Sequence, residues 1–283
     1  MNIIQSIVLG IIQGATEFFP ISSSGHLVII PYFLNWDYPP LYFTVTVHFA
    51  TLAAVVTIFR REIFRIIRAV VLGIFIRKER AASSFKLGIL LIVASIPAAV
   101  AGYFLSEYIE ILFSTPLLVA AFLLVTALFL WLGERRGSRI EEQFATSRGD
   151  HVRFNFFIAF MTGIGQAIAI LPGISRSGST ISFARFFGIK RSEAIRFSFL
   201  LSVPVIFGTF IFEIYHSSRV IFDSGLNIAL NLLAGFFFAY LAGMLAIKFL
   251  VYLAKRKNLN IFAVYCVLLS AATFIFYIVK RFI

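Results

Sequence analysis

Two short polar segments in an otherwise apolar chain carry residue types that can handle a phosphate group. The first, QGATEFFPISSSGH, runs from Gln13 to His26. Gln13 and Glu17 lie four residues apart, so a helix puts both on one face. Pro20 disfavours helix at Phe19 and ends that element. Ser22, Ser23, Ser24 and Gly25 are then expected to form a turn, with His26 opening the next arm. Free backbone N–H groups and a helix N-terminus at such a Ser run bind anions. The second segment, LPGISRSGST, runs from Leu171 to Thr180. Pro172 and Gly173 break a helix there, and Ser175, Arg176, Ser177, Gly178, Ser179 and Thr180 supply hydroxyls, N–H groups and one permanent positive charge. Arg is the side chain best matched to phosphate, because it is bidentate and always ionised. Ionisable groups inside a bilayer are costly and mark function by default. Hydroxyls, two helix N-termini, an Arg, a carboxylate and an imidazole together suit a phosphate or diphosphate group with a divalent cation.

The elements that position these segments follow from a duplication. Residues 10–25 and 163–178 share seven identities in sixteen positions at a constant offset of 153, with no gap. Gln13 falls on Gln166, Ser22 on Ser175, Ser24 on Ser177 and Gly25 on Gly178. Irregular backbone in lipid is tolerated only where protein or a water-filled cavity satisfies it. Broken helices in corresponding places of two halves point to a site at the repeat interface. The chain has 283 residues, 60% hydrophobic and 13% charged, with 35 Phe, and a mean hydropathy of +0.95. Soluble domains carry about 25% charged residues, so an integral membrane protein is expected. The first residues, MNIIQSIVLGIIQ, read as a poor signal peptide, with no basic residue ahead of the apolar run. The single Cys266 excludes an intramolecular disulfide, and no zinc-type spacing, P-loop or dinucleotide fingerprint is present.

Apolar runs of bridging length fall at Leu41 to Phe59, Leu87 to Leu105, Leu117 to Gly133, Phe197 to Phe212, Leu226 to Ile247 and Ile261 to Val279. Of the 25 Lys and Arg residues, 21 lie in segments 60–86, 134–153, 185–196 and 248–260, and only Arg219, Lys280 and Arg281 fall on the opposite side. The positive-inside rule makes the first group cytoplasmic. It also accounts for the net charge of +12 without nucleic acid as a partner. The expected architecture is all-α and polytopic, an inverted-topology duplication in one membrane domain. A first repeat spans 1–150 and a second 151–283, each with a re-entrant hairpin (1–35 and 154–188) followed by three spans; the alternative topology has each hairpin crossing fully as two short helices. Residues 63–76 read as a helix lying on the cytoplasmic face.

Plainer readings stand beside these. Ser and Thr can satisfy freed carbonyls, and Glu17 can simply pair with Arg176. His48, in the apolar stretch TVTVHFATLAA, reads as structural, and His151 and His216 as solvated loop residues. Gln166 is either a hydrogen-bonding group at the hairpin base or a substrate contact. Glu62, Glu79 and Glu193 read as loop ion pairs.

With both motifs in view, the chain closely resembles the undecaprenyl-diphosphate phosphatase family, also called the bacitracin-resistance family. Its signatures are a Glu/Gln-x-x-x-Glu segment leading into P-x-S-S-[ST]-G-H, and P-G-x-S-R-S-x-x-T. The resemblance covers essentially the whole chain. It implies hydrolysis of a C55 polyprenyl diphosphate to the monophosphate and free phosphate, recycling the lipid carrier of cell-wall synthesis in a bacterial inner membrane. It also implies a divalent cation, Mg²⁺ or Ca²⁺. Carried over residue by residue, Glu17 matches the second acid, at the metal or in acid–base work, and Gln13 the first position, where Glu is common. Arg176 matches the diphosphate-binding Arg, Ser175 and Thr180 hydroxyls around it, and Ser23 and His26 a nucleophile and its neighbouring imidazole. Ser22, Ser24, Gly25, Gln166 and Ser177 complete the expected substrate site, and a homodimer is the assembly considered. Gln13 removes one carboxylate, leaving Glu17 and substrate phosphates to hold the cation.

The nucleophile is Ser23 or a water activated by Glu17 or His26. Rival classes are a polyprenyl-phosphate flippase or secondary transporter, an intramembrane serine protease built on Ser23 and His26, and a phosphate channel. Proteolysis has no need of Arg176 or the Glu17 face, and a channel predicts conductance without hydrolysis.

Overall fold

A computed structural model describes residues 1–113, 115–146, 152–222, 226–254 and 258–282. They form ten α-helices and one short 3₁₀ turn, with no strand among the described residues. Two short helices open the chain, α1 (Ile3–Phe18) and α2 (Ser23–Leu34). Three long ones follow: α3 (Leu41–Phe75), α4 (Ser83–Phe113) and α5 (Pro116–Thr146). The order then repeats with two short helices, α6 (Phe156–Ile168) and α7 (Arg176–Phe186). The last three, α8 (Arg191–Phe222), α9 (Leu226–Ala254) and α10 (Asn260–Phe282), are again long. The six long helices are apolar enough to cross a membrane. At about 1.5 Å per residue the four short ones reach only ~16–24 Å, less than the ~30 Å hydrocarbon core.

The short helices begin with matching caps. The Asn2 side chain accepts from Gln5 N at 2.9 Å, in a capping box, and Asn155, its mate at offset 153, accepts from Ile158 N at 2.9 Å. Ser22 and Ser175 cap α2 and α7 in the same way, accepting from Gly25 N at 3.1 Å and Gly178 N at 3.0 Å. Each cap satisfies an N–H that the helix cannot.

Small residues let these helices approach their neighbours, as is common between helices in lipid. A Cβ on Gly10 would stand 2.5 Å from Gly235 O of α9, and one on Gly163 would collide with Ala94 O of α4. Thus α1 packs on α9 and α6 on α4, each hairpin lying against a long helix of the other half. The core is apolar and aromatic; Phe18 meets Phe199 edge-on with centroids 5.4 Å apart.

The helices are longer than the apolar runs that announce them. Residues 63–76 are not a separate surface helix, because α3 continues unbroken to Phe75. Nothing between Phe59 and Leu72 breaks a helix, and a 35-residue rod of about 52 Å carries Arg60, Arg61, Arg65 and Arg68 past the bilayer core. Segments 134–153, 185–196 and 248–260 are likewise mostly helix ends: α5 runs to Thr146, α8 starts at Arg191 and α9 ends at Ala254. His216 lies in α8 rather than a loop, while His151 is outside the described residues. Glu62 does form an ion pair, with Arg196 of α8 (Nε to Oε1, 2.8 Å), but between helices.

One buried ion network was not legible beforehand. Arg185 of α7, 1% exposed, donates from Nε to Glu134 Oε1 (3.2 Å) and from Nη1 to Glu141 Oε1 (2.6 Å) and Ile189 O (3.1 Å). Arg191 donates from Nη2 to Glu134 Oε2 at 2.6 Å. Two Arg and two Glu balance, so no buried charge is left unpaired.

Candidate active site

Both hairpin turns are built by strained or permissive backbone. Phe19, extended, closes α1 ahead of Pro20. Ser22 then takes a left-handed φ of 66°, a conformation that costs a non-Gly residue energy and clusters at functional sites. The expected Ser turn is therefore a cap followed by the first turn of α2, which starts at Ser23. In the second hairpin, Gly173 has φ 98°, and a Cβ there would strike Val119 O. Buried Thr126 of α5 ties this turn down, donating to Gly173 O and accepting from Ser175 N, both at 2.9 Å.

The two turns touch. Ser177 Oγ donates to Phe19 O at 3.1 Å. A Cβ on Gly25 would lie 3.4 Å from Gly173 Cα, and one on Gly178 would lie 3.4 Å from Pro20 Cβ. This abutment brings the first residue of α2, Ser23, and the first residue of α7, Arg176, onto one carboxylate. Glu17 Oε1 accepts from Arg176 Nη2 at 2.5 Å. Glu17 Oε2 accepts from Ser23 Oγ at 2.5 Å and from Gln13 Nε2 at 2.8 Å. His48 Nε2, from α3, stands 3.7 Å from the same oxygen. Glu17 is buried, and the Arg176 guanidinium is its charge partner there. Among the described residues only Nη2 of the Arg176 guanidinium has a protein partner, so its other edge is free for an anion.

A hydroxyl donating to a buried carboxylate has the geometry that a nucleophile and its base require, and a guanidinium beside it suits phosphoryl transfer. His26 does not take part in that pair. Its Nδ1 lies 2.7 Å from Ser22 O and its Nε2 2.7 Å from Tyr265 OH, with the two rings stacked. Because a carbonyl only accepts, Nδ1 carries the proton and Nε2 accepts from the phenol. His26 thus pins the strained Ser22 rather than addressing Ser23.

The remaining expected residues separate into those at the turns and those behind them. Ser22 pairs with Ser24, and Ser175 with Ser177, each Oγ–Oγ distance being 3.2 Å. Thr180 is committed to Arg176 O (2.9 Å) and to Ser198 Oγ of α8 (2.7 Å), inside the α7–α8 contact. Gln166 is buried, and neither of its side-chain polar atoms has a partner among the described residues. Sequence reasoning missed Thr126 and Tyr265, which carried no signal, and set His48 aside as structural although an ionisable residue within a span is itself a signal.

The donors fit a divalent cation. Glu17 offers a carboxylate, and Gln13 Oε1 is fully buried without a hydrogen-bond partner among the described residues. Mg²⁺-type sites use one or two carboxylates plus substrate oxygens. No group of three His, Cys, Asp or Glu comes together among the described residues.

Comparison with known proteins decides the family. The model of the bacitracin resistance protein BacA matches residues 6–272. The chain belongs to this family. It is 38% identical over 270 residues to the undecaprenyl-diphosphatase of Desulforudis audaxviator, covering 95% of this chain and 96% of that one. To the undecaprenyl-diphosphatase of Desulfosudis oleivorans it is 39% identical over 280 residues, covering 96% and 98%. To that of Korarchaeum cryptofilum it is 37% identical over 281 residues, again covering 96% and 98%.

Proposed function

We propose that this BacA-family membrane protein hydrolyses undecaprenyl diphosphate to undecaprenyl phosphate and inorganic phosphate. That activity recycles the lipid carrier of cell-wall synthesis and confers bacitracin resistance. The convergence of Ser23 and Arg176 on Glu17, from two separate hairpins, carries the reading for this chain. Arg176 grips phosphate oxygens and offsets charge on the phosphoryl group in flight, the main demand of such reactions. Ser23 Oγ attacks the terminal phosphorus while its proton passes to Glu17 Oε2. The bond from that phosphorus to the bridging oxygen breaks, the proton goes to the departing monophosphate, and the phosphoryl group stays on Ser23. Water then attacks the phosphoserine as Glu17 takes its proton. Breaking the phosphorus–Oγ bond returns a proton to Ser23 and releases inorganic phosphate. A divalent cation held by Glu17 and Gln13 Oε1 supplies further charge neutralisation when bound.

The finer architecture belongs to the same proposal. The two hairpins dip into the membrane from opposite sides and meet at Glu17, within a bacterial inner membrane. The repeated order of two short and three long helices, the matched caps and the asymmetry of basic residues support it. A homodimer is the proposed assembly, and the mass of the detergent-solubilised protein tests it.

Phosphate release from purified protein given C55 diphosphate in detergent, with and without chelator, tests the activity. Detergent removes sidedness, so release there separates hydrolysis from lipid transport. Acid quenching during turnover should trap phosphate on Ser23; a burst without protein-bound phosphate would assign the attack to water.

A further inference from the structure

We propose that His48 completes a cation site on Glu17, so that this chain takes a first-row transition cation of the Mn²⁺ class in preference to Ca²⁺. The donor set is His48 Nε2, Glu17 Oε2 and Gln13 Oε1. The inference deepens the phosphatase reading and rests on it for the choice of site.

The orientation of the ring is the first argument. His48 Nδ1 lies 2.8 Å from Thr44 O, one turn earlier in α3. A carbonyl cannot donate, so Nδ1 holds a proton toward Thr44 O and Nε2 is the ring atom turned toward Glu17. A metal-ligating His almost always spends its other N–H on a carbonyl, carboxylate or water, which fixes both tautomer and ring. His48 already has that arrangement.

Distance is the second argument. At 3.7 Å, His48 Nε2 and Glu17 Oε2 are too far apart for a hydrogen bond. Two donors sharing one cation with bonds of about 2.1 Å stand roughly 3–3.5 Å apart, so a small movement of either side chain suffices.

The third argument is the orphan. Gln13 Oε1 is buried with no partner among the described residues, while its Nε2 donates to Glu17 Oε2. A half-turn of the amide exchanges the two ends. It would set oxygen against oxygen, which is unfavourable unless a cation lies between them. Where the family's first acid is absent, an imidazole and an amide oxygen replace one carboxylate. That change has a chemical signature, because an imidazole ligand favours first-row transition cations, whereas Ca²⁺ selects oxygen alone.

The test uses tag-free full-length protein in detergent with Mn²⁺ as the probe. Pulsed electron paramagnetic resonance of the bound ion should show coupling to an imidazole ¹⁴N nucleus. His48→Gln should remove that coupling, whereas His26→Gln should retain it. Mn²⁺ affinity should fall about 10- to 100-fold in the His48 variant, the range seen when even outer partners of a metal are lost, and Ca²⁺ should compete poorly in the wild type. The wild-type spectrum needs no variant to fold. Bound Mn²⁺ without nitrogen coupling, coupling that persists in His48→Gln, or no Mn²⁺ binding would each overturn the site. Phosphate release measured on the same samples separates the two ideas. Hydrolysis without nitrogen coupling removes the His48 site alone, and coupling without hydrolysis removes the phosphatase reading alone.

Discussion

The two hairpin turns are alike in what shapes them and unlike in what reacts. Asn2 and Asn155, Ser22 and Ser175, Ser24 and Ser177, and Gly25 and Gly178 hold matching positions, and the serine pairs even share the 3.2 Å Oγ–Oγ spacing. The chemistry-bearing positions diverge instead. Glu17 corresponds to Ile170, Ser23 to Arg176, His26 to Ser179 and His48 to Leu201. Gln13 and Gln166 keep the same side chain, yet one donates to Glu17 and the other has no partner among the described residues. Backbone shape can be duplicated without cost to either copy, because a capped N-terminus serves both turns. A single carboxylate that gathers a hydroxyl, an amide and a guanidinium cannot be split evenly between two turns that meet at one point. The two turns thus form one cluster of two unlike halves rather than two equivalent ones.

The sharpest contrast is in sidedness. Asp37 and Lys190 are mates at offset 153, one following each hairpin. Single cysteines there, in a Cys266→Ala background, should react with an impermeant maleimide from opposite faces of the membrane. Labelling of both from one face would break the inverted arrangement. Next in size is the acid found in only one turn. Glu17→Gln should lower turnover at least a thousandfold, about 4 kcal/mol of barrier, in a protein that still elutes as the native form. Residual activity near wild type would remove Glu17 as the base for Ser23. Arg176→Lys keeps the charge but loses the planar fork. It should cost at least a hundredfold in turnover, about 3 kcal/mol, and an active Lys variant would reduce Arg176 to a structural partner of Glu17. The smallest effects belong to what the turns share. Ser22→Ala and Ser175→Ala should each lose about 1 kcal/mol of stability through the missing cap. Melting temperatures that fall for one variant and not the other would show that the matched caps are not equivalent.

Much of this was legible in the residues. Pro20, Pro172 and Gly173 interrupt apolar runs, and the six spans and both hairpins follow from those breaks and from run length. The extension of α3 was not legible, because Arg60, Arg61, Arg65 and Arg68 suit a surface helix and the exposed end of a long span equally well. Glu17, Ser23 and Arg176 were marked by their own segments. His48 reaches Glu17 only through the packing of α3 beside α1, and no spacing along the chain encodes that approach. The same holds for Tyr265 on His26 and for Glu134 with Arg185, pairs separated by 239 and 51 residues.

The Arg185 network bears on timing as well as on strength. Helix α7 has only eleven residues; Arg176 begins it and Arg185 is clamped to α5 near its other end. Breaking such a buried pair typically costs about 3–5 kcal/mol. Local opening of α7 must therefore be rarer than that of α2, whose far end is held at the surface by Lys280 on Asn35. Amide protons should exchange sooner at the end of the serine-bearing arm than in the arginine-bearing one. The arm that carries the fixed charge is a stiff rod, and adjustment to an arriving lipid headgroup falls to the other.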